Sequence, residues 1–277
     1  MVSIIMPTYN REKTIKRAID SILEQTYQDF EIIIVDDNSK DNTEQIVKSI
    51  EDRRIIYIRN EENKGANASR NIGIEMARGE YIAFQDSDDE WLKEKLEYQL
   101  KELKVNNVDI VASAFYKYVE KQESIVPSKI KEDKNIYEDL FFGNFISTQT
   151  ILGKKKCFLE EGFDPTFPRF QDWELMIRMA KRYKIHFINK PLANVYVQED
   201  SISRDTLKAE KALVMMFAKY KEEINVRKKA KASLYKRLGD CYHDRKDYSV
   251  NYYLEAFKLD KFNIEYALRA IKFALKR

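Results

Sequence analysis

Through the first hundred residues, short apolar runs end in polar clusters, and each cluster leads into a helical repeat. Residues 3–6 are apolar and β-rich. Asn10 then suits a helix cap ahead of Ile15, Ala18, Ile19 and Ile22, which follow the 3.6-residue period. The run FEIIIV at 30–35 is nearly continuous in apolar residues, as expected of a strand covered on both faces of a parallel sheet. A helix over 43–50, a strand over 55–58, a helix over 67–77 and a strand over 81–85 complete four βα units. Consecutive parallel strands need crossovers that are almost always right-handed, so the pattern predicts an α/β fold: a mostly parallel sheet flanked by helices. Ligands of such sheets bind at the carboxyl ends of the strands.

Past Lys104 the pattern loosens. Residues 109–118 predict a long strand, 121–135 a polar loop over the site, and 172–182 an amphipathic helix carrying Leu175, Ile177, Met179 and Ala180. Short strands are expected at 185–188 and 193–197, and from Asp205 onward every segment is helical in character. The chain therefore divides into an α/β part over 1–204, with halves at about 1–104 and 105–204, and an all-α extension over 205–277.

Composition narrows the classes. A chain of 277 residues, 44% hydrophobic and 34% charged, is globular and has ample material for a core. Cys157 and Cys241 stand far apart without a C-x-x-C, against a disulfide framework or a cysteine zinc site, and His186 and His243 are too few for a multi-histidine metal centre. No run approaches the ~18 apolar residues of a membrane span, and the chain begins directly in a strand-like segment. The expectation is a cytoplasmic protein in a reducing compartment, with no nucleic-acid partner. The net charge of +3 is unevenly placed: residues 227–277 carry 14 Lys+Arg against 6 Asp+Glu, a local +8 that leaves −5 for the body. Such a tail suits peripheral docking on anionic lipid, at ~1 kcal/mol per well-placed cation, or simply the solvated face of ordinary helices.

The polar clusters after the strands carry the chemistry. They read Pro7-Thr8-Tyr9-Asn10, Asp36-Asp37-Asn38-Ser39 and Asp86-Ser87-Asp88-Asp89. Asp86 and Asp88 leave a strand end two residues apart and point the same way, which suits a divalent cation. Oxygen ligands favour Mg²⁺ or Mn²⁺, ions that take one or two protein carboxylates and complete their shell with substrate phosphates and water. The pattern therefore points to a nucleotide or sugar-nucleotide site. The same residues also suit structural duty: Asp88 or Asp89 as cap of a helix beginning near Trp91, and Asp37-Asn38 as an Asx turn. With seven glycines in the whole chain and no glycine-rich phosphate loop, kinase and dehydrogenase readings are disfavoured.

The motifs SIIMPTYN, IIIVDDNSKDNT, NKGANASRNIG, YIAFQDSDD, GFDPTF and QDWELMIRM, in this order within residues 2–204, resemble those of the family 2 glycosyltransferases. That family has the GT-A fold and transfers sugars from nucleotide donors with inversion. The resemblance implies that Pro7, Thr8 and Tyr9 line the nucleobase pocket, with Tyr9 stacking on uracil. It implies that Asp37 accepts from the uracil N–H and so favours UDP, and that Arg70 faces the donor ribose or diphosphate. Asp86 would contact the ribose or the metal, and Asp88 would ligate Mn²⁺ or Mg²⁺. Asp172 would be the base that takes the proton of the acceptor hydroxyl; the usual Glu-Asp reads Gln171-Asp172 here. Competing readings are a helix-surface arginine for Arg70 and an N-cap for Asp172. The implied partners are a UDP-sugar and a hydroxyl of a bacterial surface glycan, polysaccharide or lipid-linked precursor. Gln198 stands where many relatives carry a histidine ahead of a Ser-x-Ser, here Ser201 and Ser203 in an expected flexible loop. A degenerate, non-catalytic module is the alternative, and a nucleotidylyltransferase would need a glycine-rich loop that PTYNREK does not supply.

In the extension, residues 234–261 resemble one tetratricopeptide-type helix pair, with Tyr235, Leu238, Gly239 and Tyr242 on one helix and Tyr248, Ala256, Leu259 and Asp260 on the other. About three copies are needed for independent stability, so the pair is expected to pack on the α/β part or on another subunit. Ile264, Leu268, Ile271 and Leu275 form a further apolar stripe, with Arg269, Lys272 and Lys276 on other faces. It suits core, a homodimer contact or a membrane-surface helix.

Overall fold

The computed structural model describes residues 1–120, 122–128, 135–197, 205–242 and 245–275. The expectations placed on Gln198, Ser201, Ser203, His243, Lys276 and much of the 121–135 loop lie outside the described residues. The chain forms two compact units: Met1–Lys134 with Phe145–Pro165 and Leu175–Gln198, and Asn135–Asn144 with Thr166–Glu174 and Glu199–Arg277.

In chain order the elements are β1 (Val2–Thr8), α1 (Ile15–Leu23), β2 (Phe30–Asp36), α2 (Thr43–Lys48), β3 (Ile55–Arg59), α3 (Ala66–Met76), β4 (Tyr81–Phe84), β5 (Glu90–Trp91), α4 (Lys95–Val105), β6 (Ile110–Val119) and β7 (Gln122–Val126). There follow α5 (Ile136–Leu140), a 3₁₀ turn (Thr148–Thr150), β8 (Leu152–Lys154), α6 (Lys155–Glu161), α7 (Gln171–Arg182), β9 (Ile185–Val197), α8 (Thr206–Lys219), α9 (Lys221–Asn225), α10 (Lys228–Cys241), α11 (Lys246–Leu259) and α12 (Ile264–Leu275).

The first unit is built on one sheet of order β3-β2-β1-β4-β8-β6-β9-β5, with β7 added to β6. β1 lies between β2 and β4, parallel to both, and β2 is parallel to β3. Both β1 and β2 are buried at all seven positions, which is why their sequences run apolar without alternation. The α/β class with a largely parallel first half is thus as the sequence indicates. Beyond β4 the sheet turns mixed, because β8 pairs antiparallel with β4 and with β6.

Four expectations are corrected. Glu90–Trp91 is not the start of a helix but a two-residue strand antiparallel to β9, and α4 begins at Lys95. Neither Asp88 nor Asp89 caps α4, whose N-cap is Glu94. Residues 122–126, expected in a loop, pair with β6 as a hairpin arm. The two short strands at 185–188 and 193–197 are one strand, β9, whose pairing with β6 shifts register around Ala114 and Pro191.

In the second unit the tail helices share their packing with two short segments. Arg227 forms a two-pronged ion pair with Glu138, Ser233 Oγ donates to the Phe142 carbonyl at 2.7 Å, and Tyr220 donates to buried Glu174 at 2.9 Å. α10 and α11 pack closely at Gly239, where an added Cβ would sit 2.9 Å from the Tyr253 ring. Ala232, Ala256 and Tyr266 form one small core of this unit, and Tyr253, Ala270 and Phe273 another.

Candidate active site

Because β1 lies between β2 and β4, the loops that follow these three strands leave the sheet side by side at one edge. The first two are laced together: Asp37 N donates to the Thr8 carbonyl at 2.8 Å, Asn10 N to Ser39 Oγ at 2.9 Å, and Lys40 N to Asn10 Oδ1 at 2.8 Å. Asn10 and Asn38 both take the left-handed conformation, which asparagine tolerates better than most residues. Tyr9 is exposed, and Thr8 is buried with no hydrogen-bond partner for its hydroxyl among the described residues.

The carboxylate that closes the turn at this edge is Asp36, bonded to the backbone three residues on, rather than Asp37. Asp36 Oδ1 accepts from Ser39 N at 2.7 Å and its Oδ2 from Tyr57 at 2.6 Å. Burial, and then the bond to Asp36, pushes the Tyr57 hydroxyl up, so it stays a donor. Asp37 is bound differently. Its Oδ1 accepts from Asn60 Nδ2 and Lys64 N, both at 2.8 Å, and its Oδ2 from Gly65 N at 2.7 Å. Gly65, at φ +86°, supplies the turn that brings these two backbone N–H groups to one carboxylate at the start of α3. A carboxylate offers about four acceptor sites, so Oδ2 retains one.

One turn into α3, buried Arg70 donates through Nη2 to Asp86 Oδ1 at 2.8 Å, and its Cζ lies 5.2 Å from the centre of the Phe163 ring. Its Nε is buried without an acceptor. Arg11 approaches Asp88 at 3.7 Å, while Arg17 donates to the Asp88 carbonyl at 2.7 Å and pairs with Glu90 at 2.8 Å. Guanidinium groups thus stand beside each of these carboxylates, an arrangement able to receive both a cation and a polyanion.

Asp89 is the member of this loop whose role the sequence did not reveal. It is buried, accepting from Gln149 Nε2 at 2.6 Å and from Tyr196 N at 2.9 Å. Burial, then the charges of Asp88 and Asp86, hold its pKa well above the usual carboxylate value. Gln149 itself receives the Trp91 indole N–H on its carbonyl at 3.1 Å. Asp89 and Gln149 therefore brace the loop from beneath while Asp86 and Asp88 keep partly exposed side chains. Among the described residues no group of three or more His, Cys, Asp or Glu could hold a metal ion. Asp86 and Asp88 offer hard oxygen donors only, a set that fits an Mg²⁺ or Mn²⁺ ion completed by a diphosphate.

Asp172 belongs to the second unit. It lies inside the first turn of α7 rather than at its N-cap, and its Oδ1 accepts from Asn144 Nδ2 at 2.9 Å and from Trp173 N at 2.8 Å. The preceding Phe170 is held at φ +60°, a costly conformation for a bulky residue, with its ring edge-to-face on Trp173. Trp173 in turn donates to the Leu140 carbonyl at 2.6 Å. Asn144 and strained Phe170 were not foreseeable, since neither a long-range hydrogen bond nor a backbone angle leaves a sequence signal. Pro7, Thr8, Tyr9, Asp37, Arg70, Asp86 and Asp88 meet at one sheet edge of the first unit.

The sequence profile described as "Glycosyl transferase family 2" matches residues 3–164. An Escherichia coli protein named UDP-Glc:alpha-D-GlcNAc-diphosphoundecaprenol beta-1,3-glucosyltransferase WfgD is 36% identical over 189 residues, 68% of this chain and 73% of that protein. The chain spans from 33% to 73% of the length of the first two curated relatives it matches. In fold it is similar to S. aureus TarS 1-349 in complex with UDP-GlcNAc, with TM-score 0.72 and 17% identity over 98% of this chain and 88% of that one. The mannosyltransferase PcManGT from Pyrobaculum calidifontis, in complex with GDP-Man and Mn²⁺, gives TM-score 0.64 and 19% identity over 99% and 86%. With the profile covering more than half of its residues, this chain belongs to glycosyl transferase family 2 and is a glycosyltransferase.

Proposed function

We propose that this protein transfers a sugar from a UDP donor, with inversion, to a hydroxyl of a surface glycan, polysaccharide or lipid-linked acceptor, with a divalent metal ion bound. One observation carries the reading: the Thr8, Asp37, Arg70–Asp86 and Asp88 positions gather at one edge of a parallel sheet. Thr8 and Tyr9, following Pro7, serve the nucleobase through an unpaired hydroxyl and an exposed ring. Asp37 Oδ2 keeps the capacity to accept the uracil N–H, and buried Arg70 directs a fixed positive charge at the ribose or diphosphate.

Asp88, with Asp86, is the pair that holds Mn²⁺ or Mg²⁺. When bound, the ion neutralises charge on the departing diphosphate. Asp172 takes the proton from the acceptor hydroxyl as that oxygen bonds to the anomeric carbon, and the bond to UDP breaks with its electron pair going to the diphosphate. A single displacement of this kind inverts the anomeric centre. The preference for UDP agrees with the UDP-Glc in the name of WfgD and with the UDP-GlcNAc bound to TarS, and a lipid-linked acceptor agrees with the name of WfgD. In this reading the catalytic domain spans 1–204 and the helical extension 205–277. The C-terminal helices serve contact with a second copy or an anionic membrane face, at the cytoplasmic side.

Thermal unfolding with UDP, GDP and CDP, each with and without Mn²⁺, tests the proposal. A ligand at about 100 times its dissociation constant stabilises by ~2.7 kcal/mol, which moves the midpoint by several degrees. A shift confined to UDP with Mn²⁺ is expected. An equal shift without the metal removes the metal assignment, and no shift with any nucleotide removes the donor site.

A further inference from the structure

The last helix leaves one apolar face uncovered. In α12, Tyr266, Ala270 and Phe273 are buried in the unit, while Ile264, Leu268, Ile271 and Leu275 are 68%, 60%, 53% and 75% exposed. Their spacing of four, three and four residues is the alternating a/d seam of a coiled coil. At 100° per residue these four fall within about 60° of one another on the helix surface, a narrow seam rather than a broad apolar face.

The seam is its own complement. Turned antiparallel about a two-fold axis between Arg269 and Ala270, Ile264 meets Leu275 of the second copy and Leu268 meets Ile271, so all four layers pair a with d. The flanks match in the same register. On one side lie Glu265 and Lys272, and the antiparallel turn brings each Glu265 beside the Lys272 of the other copy. On the other side lie Ala267 and Ala274, small enough to let the two helices approach closely. Lys272 pairs with no carboxylate among the described residues, so its charge is available. Glu265 pairs with Arg269 at 2.7 Å, but Arg269 is also held by Asp240 at 2.8 Å and does not depend on it.

A membrane surface fits less well. An in-plane amphipathic helix needs a rim of cations, and residues 264–277 carry Arg269, Lys272, Lys276 and Arg277 against Glu265, a net +3. But Arg269 is already bound by carboxylates, and Glu265 on the flank of the seam would face anionic lipid, whereas a second copy meets it with Lys272. We infer that α12 is a self-association surface, on which a second copy of this chain docks antiparallel through Ile264, Leu268, Ile271 and Leu275. A single short helix buries less than a standard interface, so the dimer forms weakly and reversibly.

Sedimentation of the full chain between about 1 and 100 µM reads the association. A monomer–dimer equilibrium is expected. Leu268→Asp with Ile271→Asp should leave a monomer whose melting temperature and helicity are unchanged, because both side chains are exposed. Glu265→Lys alone and Lys272→Glu alone should each weaken the dimer about tenfold, and the double exchange should restore it. A chain monomeric at every concentration, or a dimer indifferent to the Asp substitutions, overturns the inference. Failure of the double exchange to rescue overturns the antiparallel register. Sedimentation with vesicles of phosphatidylglycerol and phosphatidylethanolamine runs alongside: seam-dependent binding to them by a monomeric protein assigns the surface to the membrane instead.

Discussion

Arg70 donates to Asp86 Oδ1 at 2.8 Å while its own Nε, buried, meets no acceptor. A buried guanidinium with a spare donor normally costs free energy, and an anionic ligand at the sheet edge would satisfy it. Arg70→Lys keeps the charge and loses the planar fork. The expected result is a fall in UDP affinity of about 10- to 100-fold, the worth of one charge-assisted hydrogen bond, with little change in melting temperature. Calorimetric titration of UDP with Mn²⁺ measures it, and an unchanged affinity removes Arg70 from the donor site.

Asp172 and Asn144 should separate chemistry from positioning. Asp172→Asn keeps the shape of the side chain but cannot accept the proton, so transfer should drop by about 10²- to 10⁴-fold while UDP binding is retained. Asn144→Ala removes one bond to Asp172 Oδ1 and should lower kcat by about tenfold at unchanged UDP affinity. Single-turnover transfer from a radiolabelled UDP-sugar reads both. Full activity in Asp172→Asn would eliminate it as the base.

Gly73 ties the helix of Arg70 to the sheet. A Cβ there would lie 2.5 Å from Ile5 Cγ2, so α3 can rest on β1 at this distance only without a side chain. Gly73→Ala gains about 1 kcal/mol of helix propensity but incurs an overpacking cost of about 1–3 kcal/mol. A net loss of up to roughly 2 kcal/mol in urea unfolding is expected. A companion loss of UDP affinity, measured well below the transition, would show that displacing α3 also displaces Arg70.

What the sequence disclosed follows from the physics of each element. β1 and β2 are buried on both faces, so SIIM and EIIIV are legible as uninterrupted apolar runs, and the polar clusters after them mark the ligand edge. β5 leaves no signal in the sequence because two residues carry no period; its pairing is imposed by β9. The break expected between 188 and 193 contains Pro191, which has no N–H to donate, and the structure registers it as a shift opposite Ala114 rather than an end. In QDSDDEW the carboxylates look alike. Their division into a buried brace, Asp89, and the more exposed Asp86 and Asp88 depends on Gln149 and Tyr196, distant in sequence and brought near only by the folded sheet.

Lys95 gives the clearest dependence on pH. It is fully buried, its Nζ 3.9 Å from the centre of the Trp91 ring and donating to Gln99 Oε1 at 2.6 Å, and burial holds its pKa well below the usual lysine value. The unfolded chain binds its proton up to about pH 10.4, whereas the folded protein gives it up earlier. Between the two pKa values the unfolded state therefore holds more protons, and stability rises with pH through that window. Falling pH reverses the gain as it passes the folded pKa. Lys95→Met removes the titration and should flatten this alkaline rise. Relief from burying an amine opposes the loss of a partner for Gln99, whose Nε2 stays bound to the Thr150 carbonyl at 2.7 Å. Those opposing costs are each about 1–3 kcal/mol, so the change at pH 7 should be small and the diagnostic quantity is the slope. Melting temperatures of both proteins from pH 7 to 10 decide it: an equal slope in Lys95→Met would mean that the lysine keeps its proton throughout, with the cation held by the Trp91 face.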